Sequence, residues 1–266
     1  MAMSGYTFFM VNCEFENKRL NISAKKRKSR ISILLHYFTG GGGKEFEVYK
    51  NPDQYDDGAH SKLYQRDNLA RGVADVIEIN VPNMQNTSIL DIGAGTGIFS
   101  LELARRGFVV IALDLFSEPL NKLNEKAKTE GLVSQVKIVQ GDMNLSWPFD
   151  DNSFSSVVSL RATRYINDFD AWLGEVYRVL KPHGTFVLPV FFVDTIPWKR
   201  HSYKGFHQKT SVRAIMNSII YAGFVVDAEA SQKYTKVVDK SRGAREVPFY
   251  YQPTFIVAKK YGYGSI

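Results

Sequence analysis

The chain has 266 residues, of which 44% are hydrophobic and 13% aromatic, enough for one α/β domain with a sizeable core and appendages. Cys13 is its only cysteine, which excludes an intrachain disulfide, a cysteine-based zinc site and a C-x-x-C pair. The net charge of +7 is spread unevenly: residues 1–43 carry +5, residues 44–195 carry −6 and residues 196–266 carry +8, so an acidic middle stands between two basic flanks.

The N-terminal elements come first. The apolar patch "YTFFMV" has no basic residue before it and no small-residue cleavage site after it, so a secretory signal is not expected. No uninterrupted apolar run approaches the roughly 18 residues of a membrane span. A cytoplasmic protein is the expectation. "KKRKSR" (25–30), "ISILLHYF" with His36, and "TGGGG" (39–43) read as a basic arm, an apolar anchor and a flexible linker. We therefore divide the chain into an extension, 1–43, and a domain, 44–266. The arm suits nucleic acid, an anionic membrane or a nuclear-import receptor. It equally suits a solvated extension or one that packs in a homo-oligomer.

Next, Leu69, Val73, Val76, Ile77 and Asn80 recur at helical spacing, which predicts a helix over 61–80 packed on a sheet. "SILDIGAGTGIFSLELARRGFVVIALDLF" (88–116) follows. Ile89, Leu90 and Ile92 make a short strand with Asp91 near its end. Apolar residues at Ile98, Phe99, Leu101, Leu103 and Ala104 suit a buried helix running from Thr96, with Gly107 as its stop. "FVVIAL" (108–113) reads as a second buried strand ending in Asp114. Strand, glycine-rich turn, helix, strand and acid make the first half of a nucleotide-binding βαβ unit. Gly93, Gly95 and Gly97 allow a tight turn and are expected to let backbone amides face a ligand. Asp114 can accept hydrogen bonds from both ribose hydroxyls. The bland alternative is a tight turn with no ligand. A dinucleotide fingerprint wants its third glycine where Ile98 stands, which weakens a nucleotide-dependent oxidoreductase.

Beyond it, a polar helix is expected over 117–130 and a third strand over 136–143, ending Gly141-Asp142-Met143. A turn into a fourth strand is expected over 148–160. Phe169, Trp172, Leu173, Val176 and Leu180 then lie on one face of a helix.

"LDIGAGTG", with an acid before the first glycine, resembles motif I of the class I S-adenosylmethionine-dependent methyltransferases. "RVLKPHGTFVLPV" is similar to that family's helix end, turn and fifth strand, with His183 where glycine is usual. The resemblance runs over about residues 60–260 and is strongest to the ubiquinone/menaquinone-type and related small-molecule methyltransferases. It implies a Rossmann-like, doubly wound, seven-stranded sheet, mostly parallel with an antiparallel last strand. It implies S-adenosylmethionine as cofactor. Asp91, Gly93, Ala94 and Gly95 would lie along its methionine portion, and Asp114 and Leu115 beside the ribose. Asp142 would take the adenine amino group, Met143 would pack on the ring, and Leu160 would end strand four nearby. Relatives often place an arginine upstream of motif I near the cofactor carboxylate; Arg66 and Arg71 are the residues available, though each reads more readily as a surface charge.

The resemblance puts the substrate pocket between the segment holding Tyr49, Tyr55, His60 and Tyr64 and the stretch 191–208. Tyr55 and Tyr64 either close over the cofactor or are plain core. "SLRATRY" (159–165) lies opposite the transferred methyl. It lacks the Asn/Asp-Pro-Pro-aromatic run of enzymes acting on base amines, and Cys13 is too far from the core for cytosine C5 chemistry. Arg161 offers a bidentate fork to an anionic substrate group, or pairs with a carboxylate such as Asp142. His60, His201 and His207 are the base candidates; His183, in a turn, reads as structural. A base is not essential, because aligning a nucleophile with an activated methyl supplies much of the rate. The reading is methyl transfer to a small metabolite, an anionic one if Arg161 grips it. The alternative is an RNA methyltransferase or a non-catalytic nucleic-acid-binding protein on the same fold.

Overall fold

The computed structural model describes residues 66–81, 87–160, 162–191, 212–231 and 253–261, all within the unit Glu45–Ile266. The basic extension lies outside the described residues. Helix α1 (Arg66–Asn80) buries Val73, Val76 and Ile77 completely, as their spacing requires. Strand β1 (Ser88–Ile92), helix α2 (Ile98–Arg105) and strand β2 (Val109–Asp114) then form the βαβ unit. Helix α3 (Ser117–Thr129) leads to β3 (Val136–Gln140), and β4 (Phe154–Val158) is followed by the 3-10 turn Thr163–Tyr165. Helix α4 (Phe169–Val179), β5 (Leu180–Phe191), α5 (Val212–Tyr221), β6 (Phe224–Val226) and β7 (Pro253–Lys260) complete the described elements.

The strands form one sheet in the order β3-β2-β1-β4-β5-β7-β6. The first five run parallel, and β7 lies antiparallel to both β5 and β6. This is the architecture expected from the resemblance. Both faces are covered, which explains the near-continuous apolar strands. On one face α1 and α2 meet Ile89, Phe108, Val158, Val187 and Phe255. On the other, Trp172, Leu173 and Val176 of α4 meet Phe186, Leu188, Phe224 and Ile256. Alternation along β5 places Phe186 and Leu188 on the α4 face and Val187 on the α1 face. A third cluster joins α2 and α3 to β2 and β3 through Leu101, Ala104, Leu120, Leu123 and Ala112. Among the described residues no helix is long and apolar enough to cross a membrane.

Three boundaries differ from the sequence reading. Helix α2 begins at Ile98, not Thr96, because Gly97 sits in the left-handed region at φ 82°, ψ 20° and cannot continue the helix backward. Strand β3 ends at Gln140, so Gly141-Asp142-Met143 leave the sheet; the Asn144 N–H turns back to Asp142 Oδ1 at 2.9 Å, an Asx-type turn. Between α4 and β5 no separate loop intervenes. The register with β4 jumps from Phe154↔Leu180 to Ser156↔Thr185, and the extra residues bulge out. His183 occupies that bulge at φ 63°, exposed, its ring edge-on to Tyr261 at 6.3 Å.

Two cations lock this frame. Lys260 is buried and donates from Nζ to Asn152 Oδ1 (2.8 Å) and to the carbonyls of Tyr177 (2.7 Å) and Leu180 (2.8 Å), tying β7 to the α4–β5 junction. Arg178 donates to Glu175, Asp151 and the carbonyls of Phe149 and Trp147, fastening α4 to the segment before β4.

Candidate functional site

Strand order reverses between β1 and β4, and in such sheets ligands bind at the carboxyl ends beside that reversal. The residues following β1, β2, β3 and β4 therefore share one edge. Asp91, Gly93, Ala94, Gly95, Asp114, Leu115, Asp142, Met143 and Leu160 all fall there. His60, Tyr64, Arg161, His201 and His207 lie outside the described residues, as do His36, Tyr49 and Tyr55. Arg71 is exposed, and its carbonyl accepts from Arg106 Nη2 at 3.3 Å.

The glycine turn departs from the expectation that its amides face a ligand. The N–H groups of Gly93 and Ala94 donate to the Leu113 carbonyl at 2.8 and 3.1 Å, and that of Gly97 donates to the Ala94 carbonyl at 3.0 Å. The Gly95 N–H goes to Asp114 Oδ2 at 2.8 Å. Three of these donors hold the turn onto β2 and the fourth closes the turn on itself, so none of the four is turned to a ligand. Protein also accounts for two of the three missing side chains. A Cβ on Gly93 would collide with Ala162, and one on Gly97 with Leu123 of α3, whereas a Cβ on Gly95 would meet none of the described residues within 4 Å. Of the three glycines, only Gly95 is left open by the described residues.

Asp114 is held at both oxygens, Oδ2 by Gly95 and Oδ1 by the Phe116 N–H at 3.0 Å. A carboxylate accepts about four hydrogen bonds, so lone pairs remain for a diol. Burial raises its pKa, partly offset by the N–H groups of Phe116, Gly95 and Leu115. Beside it, Leu115 is 41% exposed, an apolar surface at the mouth of the edge. Asp142 Oδ1 accepts the Asn144 N–H (2.9 Å) and Nδ2 (3.1 Å), and no described residue donates to Oδ2. Met143 is partly buried, its carbonyl accepting Trp147 Nε1 at 3.1 Å, and Leu160 packs partly buried against the α1-side cluster. Ser159 Oγ donates to the Ile92 carbonyl at 3.1 Å, joining the ends of β4 and β1 across the crevice.

Asp91 lies deeper. It is 1% exposed, and Ser100 Oγ on α2 donates to its Oδ2 at 2.6 Å. Burial pushes its carboxyl from 3.8 to about 7; the Ser100 hydrogen bond works against the rise, and the Asp114 charge adds to it. The folded state thus holds this proton more tightly than the unfolded chain. That contribution is full below 3.8 and is lost as pH rises through about 7, a span of at most about 4 kcal/mol. We expect the ligand-free protein to melt at falling temperature from pH 5 to 8, and Asp91→Asn to flatten that fall. Parallel wild-type and Asp91→Asn profiles would contradict the assignment.

Ser100 and Asn144 are site residues the sequence reading missed. Ser100 had a signal: a serine directly between Phe99 and Leu101, both buried, on a largely apolar helix. Asn144 had none, since its partners come from two separate loops.

Residues 90–188 match a family model described as a methyltransferase domain. The chain is 27% identical over 181 residues to a sterol 24-C-methyltransferase of Kluyveromyces lactis, an alignment covering 66% of this chain and 45% of that one. It is 33% identical over 119 residues to a ubiquinone/menaquinone biosynthesis C-methyltransferase of Rickettsia prowazekii, covering 42% and 47%. The chain thus spans just under half the length of these two relatives. Its fold matches the crystal structure of a SAM-dependent methyltransferase from Aquifex aeolicus at TM-score 0.55 and 18% identity, covering 79% of this chain and 97% of that one. With the sheet order, the acid-preceded glycine turn and the strand-end acids in place, residues 90–188 carry a methyltransferase domain, and the chain has the fold of the S-adenosylmethionine-dependent methyltransferases.

Proposed function

We propose that this chain binds S-adenosylmethionine at the carboxyl edge of the sheet and transfers its methyl group to a small-molecule acceptor. The observation that carries the reading is the pairing of two desolvated carboxylates, Asp91 and Asp114, with the open face at Gly95. The interactions that set their pKa values include no cation among the described residues. A ligand bearing an ammonium, a ribose diol and an amino-substituted base complements them. In this reading Asp91, Gly93, Ala94 and Gly95 hold the methionine end, Asp114 and Leu115 the ribose side, and Asp142, Met143 and Leu160 the base. Tyr64 covers it. Bound there, S-adenosylmethionine supplies a sulfonium-activated methyl that passes to an acceptor nucleophile and leaves a thioether. The chain's own task is alignment and exclusion of water. Arg161 grips an anionic group of the acceptor, and His60, His201 and His207 are the residues available to take a proton.

The relatives' names, sterol and ubiquinone/menaquinone methyltransferases, support a small-molecule acceptor over a polymer. The single cysteine fits a reducing, cytoplasmic setting. One observation favours a second reading, RNA or anionic-membrane binding: the flanks carry +5 and +8 around a −6 core. S-adenosylmethionine labelled in its methyl, incubated separately with a solvent-extracted metabolite fraction and with total RNA, separates the two. Label is expected in the extract; label only in RNA would put the second reading first, and label in neither would contradict methyl transfer.

Deleting residues 1–43 extends the comparison. With a small acceptor, cofactor affinity is unchanged, and any effect is on thermal stability or oligomeric mass through packing of "ISILLHYF". With a polyanion, the deletion instead flattens a salt dependence of slope about −0.7 to −0.9 per phosphate contact.

A further inference from the structure

Asn144 joins two loops that belong to different strands. On the β3 side, its N–H and its Nδ2 both donate to Asp142 Oδ1, at 2.9 and 3.1 Å. On the β4 side, the same Nδ2 donates to the Tyr165 carbonyl at 3.1 Å, and its Oδ1 accepts the Asn167 N–H at 2.8 Å. Tyr165 closes the 3-10 turn Thr163–Tyr165, which directly follows Arg161 and Ala162. Both ends of the amide are therefore engaged, and its orientation follows from the bonds it makes. The loop carrying it is itself pinned: Trp147 donates from Nε1 to the Met143 carbonyl (3.1 Å) and from its N–H to Glu175 Oε2 (2.9 Å).

This arrangement fixes a rotamer that the carboxylate would otherwise choose freely. Rotating Asp142 breaks two hydrogen bonds to Asn144, and shifting the post-β4 turn breaks two others. The two loops cannot move independently while Asn144 is in place.

We propose that Asn144 is a positioning residue that aims the Asp142 carboxylate at the adenine amino group and couples that aim to the turn on the acceptor side. The proposal rests on the S-adenosylmethionine reading given above. Asn144 touches neither cofactor nor acceptor; it acts through Asp142 and the turn. Its signature is loss of adenine discrimination rather than loss of binding in general.

The test compares S-adenosylhomocysteine with S-inosylhomocysteine, which carries a carbonyl where adenine has its amino group. Calorimetry on the full-length wild type, Asn144→Ala, Asp142→Asn and the double variant gives four preference ratios, with melting curves reporting the fold. The wild type should prefer the adenine ligand by about 10- to 100-fold, the range of one hydrogen bond to a charged group. Asn144→Ala should cut the preference to within about threefold. Asp142→Asn should do the same, and the double variant should lose no more, because the two act as one unit. Equal weakening toward both ligands in Asn144→Ala, with the ratio preserved, overturns the proposal. Asn144→Ser, which keeps only a short donor, should also lose the preference; unfolding of both variants would make Asn144 a determinant of the fold instead and likewise overturn the proposal. A wild type that binds neither ligand overturns the cofactor reading itself, so the two failures are told apart.

Discussion

Asp114→Ala should weaken S-adenosylhomocysteine binding by about 10- to 100-fold, the cost of losing charge-assisted hydrogen bonds of about 1.5–3 kcal/mol. The side chain has two duties that the substitution removes together. It offers lone pairs to a ribose diol, and it accepts the N–H groups of Gly95 (2.8 Å) and Phe116 (3.0 Å), which shape the open turn. Alanine leaves both amides without a side-chain acceptor at the place where the ligand should rest. Asp114→Asn, which keeps the shape and one carbonyl oxygen, should lose less. Calorimetry at fixed pH decides it. Unchanged affinity in Asp114→Ala, or a wild type that prefers NADH, would contradict the assignment of this carboxylate.

Gly97→Ala should destabilise the fold by about 2–5 kcal/mol, summing a left-handed backbone penalty of about 1–2 with an overpacking cost of about 1–3. Gly97 has φ 82°, and an added Cβ would run into Leu123 of α3. Leu123 is fully buried in the cluster joining α2, α3, β2 and β3, so it has nowhere to retreat. Such a loss is a large share of the roughly 5–15 kcal/mol that holds a domain together. Gly95→Ala provides the internal control. Its φ is 56° and its Cβ would meet none of the described residues within 4 Å, so only the backbone penalty of about 1–2 kcal/mol applies. Its principal loss should be in ligand affinity. Urea denaturation should rank Gly97→Ala well below Gly95→Ala in stability; equal stabilities would show that the turn is not packed as described.

These two glycines also mark what local pattern conveys. Three alternating glycines announce a tight βα turn, and the acids closing the first two strands announce a nucleoside-type site. Nothing near position 97, however, names Leu123 as the side chain that forbids a Cβ, because that contact is made only when α3 docks on α2. Strand order and the antiparallel β7 came from the family likeness, not from residue spacing. The helix at Phe169–Val179 was legible because its apolar stripe is long and regular. Lys260 was not: in sequence it is one of two adjacent lysines at a strand end, the pattern of a solvated edge. Its burial appears only once the carbonyls of Tyr177 and Leu180 converge on it. Asn144 was hidden for the same reason. Glycine amides were read as facing a ligand because helix N-termini often do so, but here the Leu113 carbonyl and the Asp114 carboxylate take them first.

Amide hydrogen exchange of the full-length chain with and without S-adenosylhomocysteine locates the ligand on the sheet. The ligand should slow exchange in three separate stretches, around residues 91–97, 114–116 and 141–145, which the carboxyl edge of the sheet brings together. Asp114→Ala should abolish that protection at the same ligand concentration. Saturable binding that leaves those three stretches unprotected, or protects only the basic flanks, would contradict that placement.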